Sequence, residues 1–111
     1  MRVLHINSTI DANSGVMSVI MNYYRHIDKS KVQFDFLYFT ESDFKYKTYE
    51  NEIREMGGNV FFINDLKKVF AFNKKLSGIL EDNNYKTVQV HDPFVVCFIY
   101  HTLRKYGVEN I

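Results

Sequence analysis

Residues 3–27 read VLHINSTIDANSGVMSVIMNYYRHI, and the fold of the chain is read outward from them. Val3-Leu4-His5-Ile6-Asn7 is an apolar run too short for a helix. Ser8 to Ser14 is a polar loop closed by Gly15, and a 3.6-residue period follows. Strand, glycine-closed loop and helix in that order make the first βα unit of a parallel α/β domain, whose ligands sit at the carboxyl ends of the strands. Asn7 to Gly15 is therefore the segment expected to touch a small ligand. In the helix, Val16, Val19, Ile20, Tyr23 and Ile27 form a stripe expected to face the sheet, with Asn22, Arg25 and His26 toward water. Asn13 or Ser14 is placed to cap it.

The rest of the chain repeats the unit. Val32 to Phe39 alternates at first and then becomes apolar on both faces, as suits a covered strand. After the charged loop Thr40–Lys47, a short helix spans about Thr48 to Met56 and stops at Gly57-Gly58. Asn59 to Ile63 is a third strand, rich in aromatic and β-branched residues. Asn64 or Asp65 then caps a helix with the stripe Leu66, Val69, Phe70, Asn73, Leu76, Ile79 and Leu80, which ends at Asn83-Asn84. Thr87 to His91 is a fourth strand. Asp92-Pro93 opens a last helix carrying Phe94, Val95, Phe98, Ile99, Leu103 and Tyr106, which stops at Gly107. No pair of strands is joined by a tight hairpin. The expected fold is thus α/β: a Rossmann-like parallel sheet, with helices on both faces and right-handed crossovers. Val108 to Ile111 reads as the approach to a fifth strand, so residues 1–111 are taken as one incomplete domain. Its open edge predicts self-association.

Composition narrows the function. With 111 residues the chain buries a single core. A net charge of +1 gives no reason to seek nucleic acid. The lone Cys97 excludes an internal disulfide and points to a reducing compartment; it lies in an apolar helix and reads as packed. The amino terminus is neither a secretory signal nor a membrane span, so a cytoplasmic location is expected.

The loop lacks both G-x-G-x-x-G and G-x-x-x-x-G-K-[ST], which argues against NAD, FAD or ATP held through those motifs. A glycine at a helix amino terminus still favours an anion such as phosphate, although Gly15 could equally serve only the turn. His91 ends the fourth strand, where an imidazole can contact a sugar hydroxyl or phosphate, or transfer a proton. Asp92 beside it is assigned first to capping. His5, inside the first strand, reads as a satisfied core histidine, and Asp35 stands at the wrong end of its strand for a site. His26 and His101 lie on separate helices, and no spacing suits a metal. Lys67-Lys68 and Lys74-Lys75 read as a solvated face. A phosphoacceptor receiver would need carboxylates where Asn7 and Asn64 stand.

Met1 to Ile6, the loop ending in Gly15, Met21-Asn22-Tyr23-Tyr24-Arg25, Val32 to Leu37, Gly57-Gly58-Asn59-Val60 and Tyr85 to His91 together resemble the start of bacterial family 4 glycosyltransferases of the GT-B fold, of the capsule and exopolysaccharide type. The resemblance implies a truncated N-terminal, acceptor-side domain whose donor-binding partner domain is absent, and a hexosyltransferase parent. It implies a nucleotide-sugar donor as substrate, no cofactor or metal, a saccharide or lipid-linked acceptor, and work at the inner face of the membrane. The family loop usually has two glycines, an apolar residue and often glutamate; Ser14, Gly15, Val16 and Met17 occupy those positions here. The family's His-x-His at the fourth strand is Gln89-Val90-His91. The substrate-binding candidates are accordingly Asn13, Ser14, Gly15 and Asp92, with His91 as the catalytic candidate. The fragment alone is expected to be inactive. The rival reading is a stand-alone α/β binding module.

Overall fold

The computed structural model describes residues 1–40, 47–64 and 68–111. Its elements run β1 (Arg2–Asn7), α1 (Gly15–His26), β2 (Gln33–Tyr38), α2 (Glu50–Glu55), β3 (Val60–Phe62), α3 (Val69–Asn83), β4 (Thr87–Val90) and α4 (Pro93–Lys105). The four strands form one sheet in the order β3-β2-β1-β4, and all its pairs are parallel, as the alternation of strand and helix implies. Consecutive side chains of a strand point to opposite faces, and the sheet is accordingly covered on both. Val3, Phe34 and Phe36 pack with Met17, Ile20, Met21 and Tyr24 of α1 and Ile53 of α2. Leu4, Ile6, Leu37 and Val88 pack with Phe72, Leu76 and Leu80 of α3 and Val95, Ile99 and Leu103 of α4.

The stop signals, and the start signal of α4, act as read. Gly57 and Gly107 have φ of +94° and +85°, and Asn84 ends α3 in the left-handed region. The Asp92 carboxylate accepts from the backbone N–H of Phe94 and Val95, with Pro93 in the first turn of α4. Val108 is buried, and the Asn110 carbonyl accepts from Val88 N, forming a parallel bridge to Thr87. The chain after α4 therefore turns back along the edge of β4.

Each of the three long helices exposes some residues expected to face inward, while Leu76 and Leu80 of α3 and Val95, Ile99 and Leu103 of α4 are buried as read. On α1, Ile20 is buried as read, but Val16, Val19 and Tyr23 are exposed, and Met17, Met21 and Tyr24 are buried in their place. Long, adaptable methionines fill the layer above Phe34 and Phe36, and Tyr24 stacks on Phe34 while its hydroxyl donates to Gln33 Oε1 at 2.5 Å. On α3, Phe70 is 93% exposed and Phe72 is buried. The polar member of that stripe shows why: Asn73 Nδ2 donates to the Phe98 carbonyl, and Asn73 Oδ1 accepts from Thr102 Oγ1 at 2.6 Å. Those bonds tie α3 to α4 and fix its rotation. Lys68, and not Asn64, is the N-cap of α3; Asp65, Leu66 and Lys67 lie outside the described residues, as do residues 41–46 of the charged loop. On α4, Phe94 and Phe98 are exposed beside the buried Val95, Ile99 and Leu103, and Cys97 is exposed, not packed.

Candidate functional site

The loop after β1 is held by its own polar groups. Asn7 Nδ2 donates to the Thr9 carbonyl at 3.1 Å, and Asp11 N donates to Thr9 Oγ1 at 3.0 Å. Ala12 N and the Ile10 carbonyl bond across to Lys47 and Tyr49. At the loop's end Ser14 is the N-cap of α1, its Oγ accepting from Met17 N at 3.3 Å. Asn13 and Gly15 are exposed. The space around Gly15 is open, and its φ is not in the left-handed region, so the turn itself places no demand for glycine there.

His91 directly follows β4, its N–H bonded to the Ile6 carbonyl at 2.9 Å. Since β1 lies beside β4, His91 meets a second imidazole: His5 Nδ1 is 3.0 Å from His91 Nε2, and the two rings are 8° from parallel. His5 is 3% exposed, enclosed by the rings of Phe34 at 4.3 Å and Phe36 at 5.2 Å, and its Nε2 has no hydrogen-bond partner. His5 is therefore not the satisfied core histidine expected from its place in the strand. The pair borders an open cavity of about 370 Å³ together with Gln89, Val19, Ile20, Tyr23 and Phe34. Asn13, Ser14, Gly15 and Asp92 do not line it. The structure thus joins His91 to His5 and leaves the other four candidates at the helix starts, two of them occupied as caps. His5 carried a signal in the sequence. Order 3-2-1-4 makes β1 and β4 neighbours, and one histidine lies in β1 while the other directly follows β4.

Asp35, set aside as wrongly placed for a site, is fully buried and belongs to a structural network with Arg2, Asn59 and Tyr85. His26 and His101 are exposed, as are Lys68, Lys74 and Lys75. Among the described residues no three His, Cys, Asp or Glu side chains group as metal ligands, and no helix is long and apolar enough to cross a membrane.

Both imidazoles of the pair are held neutral. Burial, and after it the neighbouring His91, lowers His5 from its ordinary 6.5 to about 3, and burial lowers His91. In the unfolded chain both regain ordinary values, so below about pH 6.5 the unfolded state binds more protons and stability falls as pH falls. The His5 contribution is complete at neutral pH and is lost down to about pH 3, where His5 charges within the fold. Well inside that window it amounts to about 1.4 kcal/mol per pH unit. Urea unfolding midpoints should therefore drop between about pH 7 and 4.5, and drop less steeply in His5→Phe; identical slopes in the two proteins would refute this.

No family model and no solved structure matches the chain. Over 110 residues, 96% of this chain, it is 33% identical to a Bacillus subtilis (strain 168) protein named "Putative glycosyltransferase EpsF". The chain spans 28% of that relative's length.

Proposed function

We propose that the chain is the N-terminal, acceptor-side part of a glycosyltransferase that moves a sugar from a nucleotide-sugar to a saccharide or lipid-linked acceptor in cell-surface polysaccharide synthesis. The observation that carries the reading is His91, at the carboxyl end of β4 in a 3-2-1-4 parallel sheet, half-buried and bordering a cavity. Open α/β sheets bind ligands at that edge. The similarity to EpsF supplies the reaction class.

The chemistry is displacement at the anomeric carbon: the acceptor hydroxyl oxygen bonds to the sugar as the bond to the donor phosphate breaks, and the hydroxyl proton passes to the departing phosphate oxygen. The phosphate leaves as an anion, and a helix amino terminus stabilises such charge through free N–H groups and its dipole. The start of α1 suits this role, because Gly15 leaves its backbone uncovered. His91 contacts a hydroxyl of the sugar or acceptor. A facing donor-binding domain would complete the cleft, so the chain by itself should release no nucleotide. The parent works in the cytoplasm, at the inner membrane face where lipid-linked acceptors lie.

The test is nucleoside diphosphate release by the parent protein with a panel of nucleotide-sugars, with His91→Ala alongside. Release with one donor, reduced about 100-fold or about 2.7 kcal/mol in the variant, is the expected result. Release from no donor would leave a binding module as the better reading, and an undiminished variant would remove His91 from the site.

A further inference from the structure

We infer that His5 is a positioning residue that fixes His91 in the tautomer with its proton on Nδ1, so that His91 meets its ligand as a hydrogen-bond donor and takes no part in proton transfer. The inference rests on the functional reading only in giving His91 a ligand; the tautomer itself follows from the geometry of the pair.

A neutral imidazole has one N–H and one acceptor nitrogen. The 3.0 Å contact between His5 Nδ1 and His91 Nε2 holds one proton, and the near-parallel rings direct it along the in-plane lone pair. Which nitrogen owns that proton is decided at the far side of His5. Its Nε2 is buried without a partner, amid Phe34 and Phe36. If His91 donated, the proton of His5 would have to sit on that Nε2, as a buried N–H with no acceptor. Orphaned buried N–H groups are rarer and costlier than an acceptor left unused. His5 therefore carries its proton on Nδ1 and donates it to His91.

His91 Nε2 is then an acceptor, which leaves its own proton on Nδ1. Among the described residues that Nδ1 has no hydrogen-bond partner. It is free to donate to a hydroxyl or phosphate oxygen. It cannot act as a base, since it already holds its proton, nor as an acid, since giving that proton up would leave an imidazolate. The remaining nitrogen is occupied by His5. Burial that keeps both rings neutral acts in the same direction.

Long-range proton–nitrogen NMR of the chain with 15N-labelled histidine at neutral pH reads each ring nitrogen directly. Both His5 and His91 should show a protonated Nδ1 and an unprotonated Nε2. In His5→Phe the His91 signal should shift toward the Nε2–H form that free imidazoles prefer, and in His5→Gln, whose amide can still donate, it should stay on Nδ1. A His91 protonated on Nε2 in the wild-type chain would overturn the inference, as would a tautomer unmoved by His5→Phe. If His5→Phe does not fold, the wild-type spectrum alone still decides. None of these readings needs sugar transfer: an Nδ1–H His91 in a parent that releases no nucleotide would sink the functional reading and leave the pair as described.

Discussion

Asp35→Ala is expected to lower unfolding free energy by about 4 kcal/mol, read from the midpoint of a urea titration followed by circular dichroism. The carboxylate is fully buried in β2. Its Oδ1 accepts from Arg2 Nη1 at 2.6 Å and from Asn59 N at 2.8 Å, and its Oδ2 accepts from Asn59 Nδ2 at 3.3 Å and from the Tyr85 hydroxyl. The Arg2 contact adds little, because its side chain is 42% exposed and water can replace the carboxylate there. The larger cost lies with Tyr85. It is 1% exposed, burial pushes its hydroxyl far above the ordinary range so that it stays a donor, and without Asp35 that donor has no acceptor. Each such orphan costs about 1–3 kcal/mol, and the Asn59 N–H is a second. Asp35→Asn should fall between, near 2 kcal/mol, since an amide accepts on one side only. A loss below about 1 kcal/mol for Asp35→Ala would mean that the network is not formed. Against a total stability of about 5–15 kcal/mol the expected loss is large.

How much of this was legible depended on how far each residue's role reached along the chain. Helix starts and stops are local, and they could be read: Asp92-Pro93, Gly57, Asn84 and Gly107 each act at the place where the sequence puts them. The parallel direction of the strands followed from those signals and from the rule for crossovers, whereas their spatial order β3-β2-β1-β4 did not. The inward face of each helix was less legible. Apolar residues occupy adjacent stripes on α1, and a 3.6-residue period fits Val16-Val19-Tyr23 as well as Met17-Met21-Tyr24. The choice between them is made by Phe34 and Phe36 on another element, which the period does not contain. Asn73 similarly sets α3 through Thr102, 29 residues away. The candidate site divides in the same way. His91 could be singled out as a candidate because the end of a strand before a cap is a local pattern. His5 is 86 residues distant, and its role needs both the pairing of β1 with β4 and the knowledge that both rings emerge on one face.

Gly58→Ala is expected to destabilise the chain by about 3 kcal/mol, while alanine costs less at Gly57 and nothing at Gly15. A methyl group on Gly58 would stand 2.5 Å from the Phe34 carbonyl oxygen, 2.7 Å from Ile53 Cγ2 and 2.9 Å from the Tyr24 hydroxyl. The first of these is backbone in the sheet and cannot swing aside, so β2 and the turn after α2 must separate. That separation also strains the Tyr24–Gln33 bond and the packing of Ile53, both part of the layer beneath α1. Gly57 is crowded only by the end of the Gln33 side chain, and its φ of +94° should cost an alanine about 1–2 kcal/mol. Gly15 has open space and no left-handed φ, so Gly15→Ala should leave the urea midpoint unchanged or slightly raised. The same substitution in the parent places a methyl group over the start of α1. If donor phosphate approaches there, nucleotide release should fall although stability does not. Equal destabilisation at all three positions would refute the packing described around Gly58. Unchanged release in the Gly15→Ala parent would show that the start of α1 does not receive the phosphate.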